Sequence, residues 1–204
     1  MKDLVALVPD KNVKFGIEGL FSRFKSLSIK PISYDVFVHP QHDPGIFHGA
    51  ADFLRAYSNE YSYSLVFLDY EGSGQETIPP DEIAKKIKVK IERSGWLNRV
   101  EIIVFIPEFE VWMWTNSPHI AKVLGWNNYL RLKNWLVHQG LWEENTLKPK
   151  RPKEALEVSL QKTGIPRSSS IYLEAAQMVS LNKCQDKSFN HLKDILRKWF
   201  EKEK

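Results

Sequence analysis

Cysteine is nearly absent from this chain: Cys184 is the single one among 204 residues. An internal disulfide is therefore excluded, and the composition fits a reducing compartment. No apolar run approaches the ~18 residues that a membrane-spanning helix needs. Met1-Lys2-Asp3-Leu4 lacks the apolar segment and cleavage site of a secretory leader. The expectation is a cytoplasmic protein with no membrane partner. The chain also has no Walker-type phosphate loop, no Gly-x-Gly-x-x-Gly and no Gly-x-Ser-x-Gly. These absences argue against P-loop nucleotide hydrolysis, dinucleotide binding and the usual serine hydrolase. His39 and His42 have no third or fourth ligand at zinc spacing.

What is present is ordinary in bulk and uneven in detail. Apolar residues make up 43% and charged residues 26% of the chain, as in a globular domain with a sizeable core. Seven Trp and eleven Phe imply close aromatic packing or a stacking surface. The formal charge is +4, and Lys and Arg outnumber Asp and Glu from Lys148 onward. That excess suits a phosphate backbone or an acidic protein, or it keeps the helices solvated.

Leu65-Val66-Phe67-Leu68-Asp69-Tyr70-Glu71-Gly72 organises the rest. An uninterrupted apolar run reads as a strand buried on both faces, because a strand wet on one face alternates. The carboxylates that end it belong at the strand's carboxyl edge, where open α/β sheets bind ligands. Three similar runs, Leu4–Val8, Ser33–Val38 and Val100–Ile106, read as strands. Between them, apolar residues recur at helical spacing over Val13–Lys25, Phe47–Tyr57 and Asp81–Arg93. Gln41-His42-Asp43-Pro44-Gly45 carries the composition of a loop. The resulting β-α-β-α-β-α-β order predicts a small, largely parallel four-stranded α/β sheet flanked by helices. Beyond Pro107 the pattern predicts helices alone, at Glu108–Trp114, Ser117–Leu124, Asn128–His138, Pro152–Gln161, Ser169–Val179 and Asp186–Phe200. The polar, twice proline-broken stretch 145–152 divides a core of residues 1–145 from a helical C-terminal extension of residues 146–204, packed on that core.

Acidic residues follow three of the four strands: Asp10, then Asp69 and Glu71, then Glu108 and Glu110. In a parallel sheet these ends share one rim. Two or three carboxylates there suit Mg²⁺ or Mn²⁺, hard ions that take oxygen ligands. On an extended backbone residues i and i+2 project to one side, so Asp69 and Glu71 are the expected metal pair. Gly72-Ser73-Gly74 offers backbone N–H groups to an oxyanion. Pro107-Glu108-Phe109-Glu110 also reads as a plain helix start, with acids at the positive end of the dipole. Cys184 reads as a buried, inert thiol. His39, at the end of the second strand, is a further candidate rim residue.

These residues resemble the Toprim fold, and more narrowly a Toprim-like family of uncharacterised proteins associated with restriction and phage-defence genes. The likeness rests on Leu68-Asp69-Tyr70-Glu71-Gly72, Pro107-Glu108-Phe109-Glu110-Val111-Trp112, Lys148-Pro149-Lys150-Arg151-Pro152-Lys153 and Lys187-Ser188-Phe189. It implies a Toprim-like core with Asp69 and Glu71 as metal ligands. It further implies Asp10 as the proton-handling acid in place of the usual Glu, and Glu110 as the glutamate that assists. Pro9-Asp10-Lys11 lacks the customary Glu-Gly of that family. The implied function is Mg²⁺-dependent, nuclease-like processing of nucleic-acid phosphodiesters within a bacterial defence system, with Lys148, Lys150, Arg151 and Lys153 holding the nucleic-acid backbone. The alternative is a non-catalytic subunit that binds nucleic acid or other defence-system proteins, using the Trp-rich stretch from Trp112 to Trp142. An enzyme acting on a small phosphorylated metabolite would use the same rim.

Overall fold

The apolar runs form four parallel strands, the first lying between the second and the third and the fourth outermost beside the third. The computed structural model describes residues 1–201. Strand β1 spans Lys2–Val8, β2 Tyr34–Val38, β3 Tyr61–Asp69 and β4 Val100–Phe105. Helices α1 (Lys11–Phe21) and the single turn α2 (Phe24–Leu27) join β1 to β2, α3 (His42–Arg55) joins β2 to β3, and α4 (Pro80–Ile91) joins β3 to β4. The chain steps to one side from β1 to β2 and to the other side thereafter. With crossovers of constant hand, α1 must then lie on one face of the sheet and α3 and α4 on the other.

The two faces are separate apolar layers. Alternate residues of the central strands, Leu4, Ala6, Leu65 and Phe67, pack with α1, while Val5, Leu7, Val66 and Leu68 pack with α3 and α4. All four residues from Leu65 to Leu68 are fully buried, as a two-faced strand requires. Each side chain of that size contributes about 1.5–3 kcal/mol on burial, so this segment anchors the sheet. The last strand residue, Asp69, is fixed in place by that anchoring.

Five more helices follow: α5 (Pro118–Val123), α6 (Tyr129–His138), α7 (Pro152–Thr163), α8 (Ser169–Met178) and α9 (Lys187–Trp199). Asp10, Ser117, Asn128 and Asp186 cap the N-termini of α1, α5, α6 and α9 with their side chains. Gly164 closes α7 in the left-handed conformation, at φ 71°. The helices after residue 145 complete the layer on the α1 face. Leu156, Tyr172, Phe189 and Leu196 belong to the same continuous cluster as Leu4 and Phe67. Helix α8 lies so close to α1 that a Cβ on Gly19 would stand 2.7 Å from the Leu173 carbonyl oxygen.

Two segments depart from the sequence expectation. Glu108–Trp114 is a single 3₁₀ turn, Phe109–Trp112, rather than a two-turn helix. Burial explains this: Phe109, Val111, Trp112, Met113 and Trp114 are all buried, which one amphipathic face cannot satisfy. Helix α3 begins at His42, within the stretch that composition marks as a loop. There Pro44 and Asp43 occupy the first turn, where proline loses no helical bond and an acid meets the positive end of the dipole.

Candidate functional site

The strand order reverses between β1 and β3, so the loops leaving their carboxyl ends part and open a crevice. Asp10 follows β1 and Asp69 ends β3 on either side of it. Asp69 ties three segments together. Its Oδ1 accepts the Phe109 N–H at 2.8 Å, and its own N–H donates to Asp43 Oδ1 at 2.8 Å. The turn after β4 and the first turn of α3 are thereby pinned to the end of β3. Glu110, on that turn, is buried and accepts from the Tyr172 hydroxyl of α8 at 2.7 Å. Asp10 is half-buried and accepts the Val13 N–H at 2.8 Å. Lys153, in the first turn of α7, donates its backbone N–H to Glu108 Oε1 at 3.2 Å.

The electrostatics follow from this crowding. Burial pushes the Asp69 carboxyl well above its ordinary range, and the charges of Glu110, Asp43 and Asp10 push it further. Burial raises Asp43 to about 6, with Asp10 adding to the effect and the bond from the Asp69 amide opposing it. Burial raises Glu110 to about 7 against the opposing bond from Tyr172. Glu108 is raised as well, again chiefly by burial. Lys153 is shifted upward too, which for a lysine favours the charged form. Burial works against its charge, but Glu110, Glu108, Asp69 and Asp10 outweigh burial and hold its pKa above the usual lysine value. Five acids from four segments thus share one lysine.

Of the five rim acids singled out in the sequence, Asp10, Asp69, Glu108 and Glu110 come together here. Glu71 does not. It is exposed, and the charges it bears on are Glu108 and Arg151 rather than Asp69. The strand ends at Asp69, and at Gly72 the backbone turns at φ 89°, so same-side projection of i and i+2 no longer holds. The N–H groups of Gly72 and Gly74 are also taken, at 2.8 and 3.2 Å, by the chain's own Glu76 Oε1.

The basic stretch is divided too. Lys148 pairs with Asp186 at 3.3 Å, Lys150 with Glu143, and Arg151 with Glu154 at 3.0 Å. Lys153 turns toward the acids. His39 is buried, its Nδ1 accepting the Gln41 N–H at 3.2 Å. Burial, with His42 beside it, lowers its pKa, so it is a neutral core histidine. Cys184 is buried, and its Sγ donates to the Trp112 carbonyl at 3.4 Å.

Sequence reasoning missed Asp43 and Tyr172. Asp43 was legible as an acid beside a proline that opens a helix. Tyr172 had no signal, since an aromatic residue on an amphipathic helix looks the same whether its hydroxyl meets a carboxylate or water.

The donor set fits a hard divalent cation in chemistry, being carboxylate oxygens in excess of positive charge. In arrangement, no three Asp, Glu, His or Cys side chains among the described residues are grouped to hold one ion as they stand. Among the described residues no helix is long and apolar enough to cross a membrane. Comparison with protein-family models, curated proteins and solved structures gives no match to this chain.

Proposed function

We propose that the crevice between β1 and β3 is the working site of a cation-dependent, nuclease-like protein that processes nucleic-acid phosphodiesters in a bacterial defence system, as the Toprim-like resemblance implies. One observation carries this reading: Asp10, Asp43, Asp69 and Glu110 crowd at the switch point and, among the described residues, Lys153 alone balances them. Once ionised, such a group of acids would repel a phosphate unless a cation accompanied it. Mg²⁺ or Mn²⁺, when bound, supplies the positive charge that offsets the phosphoryl oxygens. Asp69, with Asp10 or Asp43 rather than Glu71, is the carboxylate placed to hold it.

The remaining roles fall to the chain's own groups. Glu110, with a pKa of about 7, is matched to accept or release a proton near neutrality, and the Tyr172 hydroxyl holds it in place. Asp10 stands at the rim as a second proton-handling group. Among the described residues, Lys153 offers the cation that can meet a phosphate inside the crevice. Outside it, the ion pairs of Lys150 and Arg151 are solvated, and such pairs contribute about 0–1 kcal/mol, so a phosphate backbone can replace their partners. Lys148, the least exposed of the three, contributes less.

The test is cleavage of single- and double-stranded DNA and RNA with Mg²⁺ or Mn²⁺. The expected result is turnover by the wild type, none by a folded Asp69→Asn variant, and retention of activity in Glu71→Gln. Equal activity in wild type and Asp69→Asn would exclude the mechanism.

One feature favours a non-catalytic binding subunit instead. Asp69 and Glu110 already spend one oxygen each on Phe109 and Tyr172, as structural carboxyls do. That reading expects nucleic acid or partner protein to bind without turnover and with indifference to divalent ions. A steep loss of affinity with salt would mark nucleic acid as the ligand.

A further inference from the structure

The open edge of the sheet, outside the acidic crevice, is flanked by a groove. β4 is the last strand in the order, paired on one side only. The Ser64 N–H donates to Arg99 and the Tyr70 N–H to Phe105. In a parallel ladder, residues 99, 101, 103 and 105 therefore address β3, while the backbone groups of Val100, Ile102 and Val104 point outward. Two of these meet protein groups: Ser188 Oγ of α9 donates to the Val104 carbonyl, and the Ile102 N–H reaches Glu101 Oε1 at 3.4 Å. The Ile102 carbonyl and the Val104 N–H face a groove of about 580 Å³ bounded by α4 and α9. Buried or half-buried backbone groups of this kind require a partner, and the groove is of ligand-holding size.

The charges along the groove point to the nature of that partner. Glu101 is already neutralised by Lys88 at 2.8 Å, with His191 of α9 at 4.0 Å. Lys85 and Lys187 are exposed on opposite walls, and neither is ion-paired among the described residues. The N-termini of α4 and α9 open at the same end, at Pro80–Asp81 and Lys187–Ser188, and each adds positive dipole. Of the two acids on the lining, Glu101 is paired and Asp81 has no basic partner among the described residues. Exposed Ile106, at 48%, continues the apolar floor beyond the strand.

We propose that this groove docks an extended acidic peptide segment of a partner protein, which adds to β4 as a fifth strand between α4 and α9. Its backbone donates to the Ile102 carbonyl and accepts from the Val104 N–H. Its apolar side chains rest on the groove floor, and its carboxylates meet Lys85 and Lys187. Backbone pairing supplies affinity in this mode and alternate side chains supply selectivity.

The experiment uses the ¹⁵N-labelled full chain and, as probe, a short amidated peptide alternating valine and glutamate. The expected result is saturable binding that shifts the Val104 amide signal and slows its hydrogen exchange. Affinity should fall about tenfold in Lys85→Glu/Lys187→Glu, two exposed substitutions that leave the fold unchanged. A peptide with lysine for glutamate, or one N-methylated at alternate backbone positions, should bind at least as weakly as the probe binds that variant. Absence of saturable binding, an unmoved Val104 amide, or equal binding of the N-methylated peptide overturns the proposal. Protection of the Val104 amide that grows with protein concentration in the absence of peptide also overturns it, in favour of a second copy of the chain. The acidic crevice takes no part, so Asp69→Asn should bind the probe like wild type.

Discussion

Glu110 makes the stability of this protein depend on pH in a sense that can be worked out. It is 3% exposed, and burial moves its pKa from 4.5 to about 7. An acid whose pKa is higher in the folded than in the unfolded chain favours folding below its unfolded pKa, and that contribution is lost as pH rises through the folded value. The interval from 4.5 to about 7 corresponds to about 3 kcal/mol. Asp43, raised to about 6, and Asp69 act in the same sense. His39 acts oppositely, because its pKa is lowered: it supports the fold above about 6.5 and ceases to do so as pH falls. The whole-protein profile is therefore a composite, and the informative quantity is the difference between wild type and Glu110→Gln. Urea unfolding followed by the fluorescence of the seven Trp, at steps from pH 5 to pH 8, measures it. Wild type should lose roughly 2–3 kcal/mol relative to the variant across that range. If the crevice holds Mg²⁺ through Asp69 as proposed, the ion at about a hundred times its Kd should return about 2.7 kcal/mol to wild type at pH 8 and nothing to Asp69→Asn. Parallel profiles for wild type and Glu110→Gln would refute the assignment of Glu110 as a buried, proton-retaining carboxyl.

Further outcomes follow from the packing around the crevice. Tyr172→Phe removes the donor to a buried carboxylate and should destabilise by about 1–3 kcal/mol at pH 8 but less at pH 5, measured by the same unfolding assay. Gly16→Ala would place a Cβ 2.5 Å from Phe109 Cε1. Its overpacking cost of about 1–3 kcal/mol should outweigh the gain of up to about 1 kcal/mol in helix propensity and lower the melting temperature. Trp112→Ala, which removes a fully buried ring stacked 4.7 Å from Phe189, should cost about 3–5 kcal/mol by denaturant titration. Lys150→Glu and Arg151→Glu should leave stability within about 0.5 kcal/mol. If nucleic acid is the ligand, each should reduce the salt dependence of its binding by about one phosphate contact.

Much of the fold was legible because its signals are local. Leu65–Leu68 and Leu4–Val8 read as strands buried on both faces, and the spacing of Ile83, Ile87 and Ile91 reads as a helix facing the sheet, as the structure has them. From those alone came the parallel α/β sheet and the gathering of acids at its carboxyl edge. The exceptions mark where a local signal was outvoted. Asp43-Pro44 resembles a loop until the rest of α3 supplies a helix for it to open, and Glu108–Trp114 was too uniformly apolar to settle on one helical face.

The sequence by itself determined that Asp10, Asp69 and Glu110 end on one rim, because each follows a strand of a parallel sheet. Only the tertiary structure decided which acids share a site. It turned Glu71 away where β3 ends, brought Asp43 in from α3, and aimed Tyr172 and Lys153 at the crevice from helices far along the chain, Tyr172 lying 62 positions beyond Glu110. It also spent Gly72 and Gly74 on Glu76, and Lys148, Lys150 and Arg151 on neighbouring acids. The physical reason is range. Strand and helix periodicity is read within a few residues, whereas the partner of a charge is whatever the packing of distant segments brings near it.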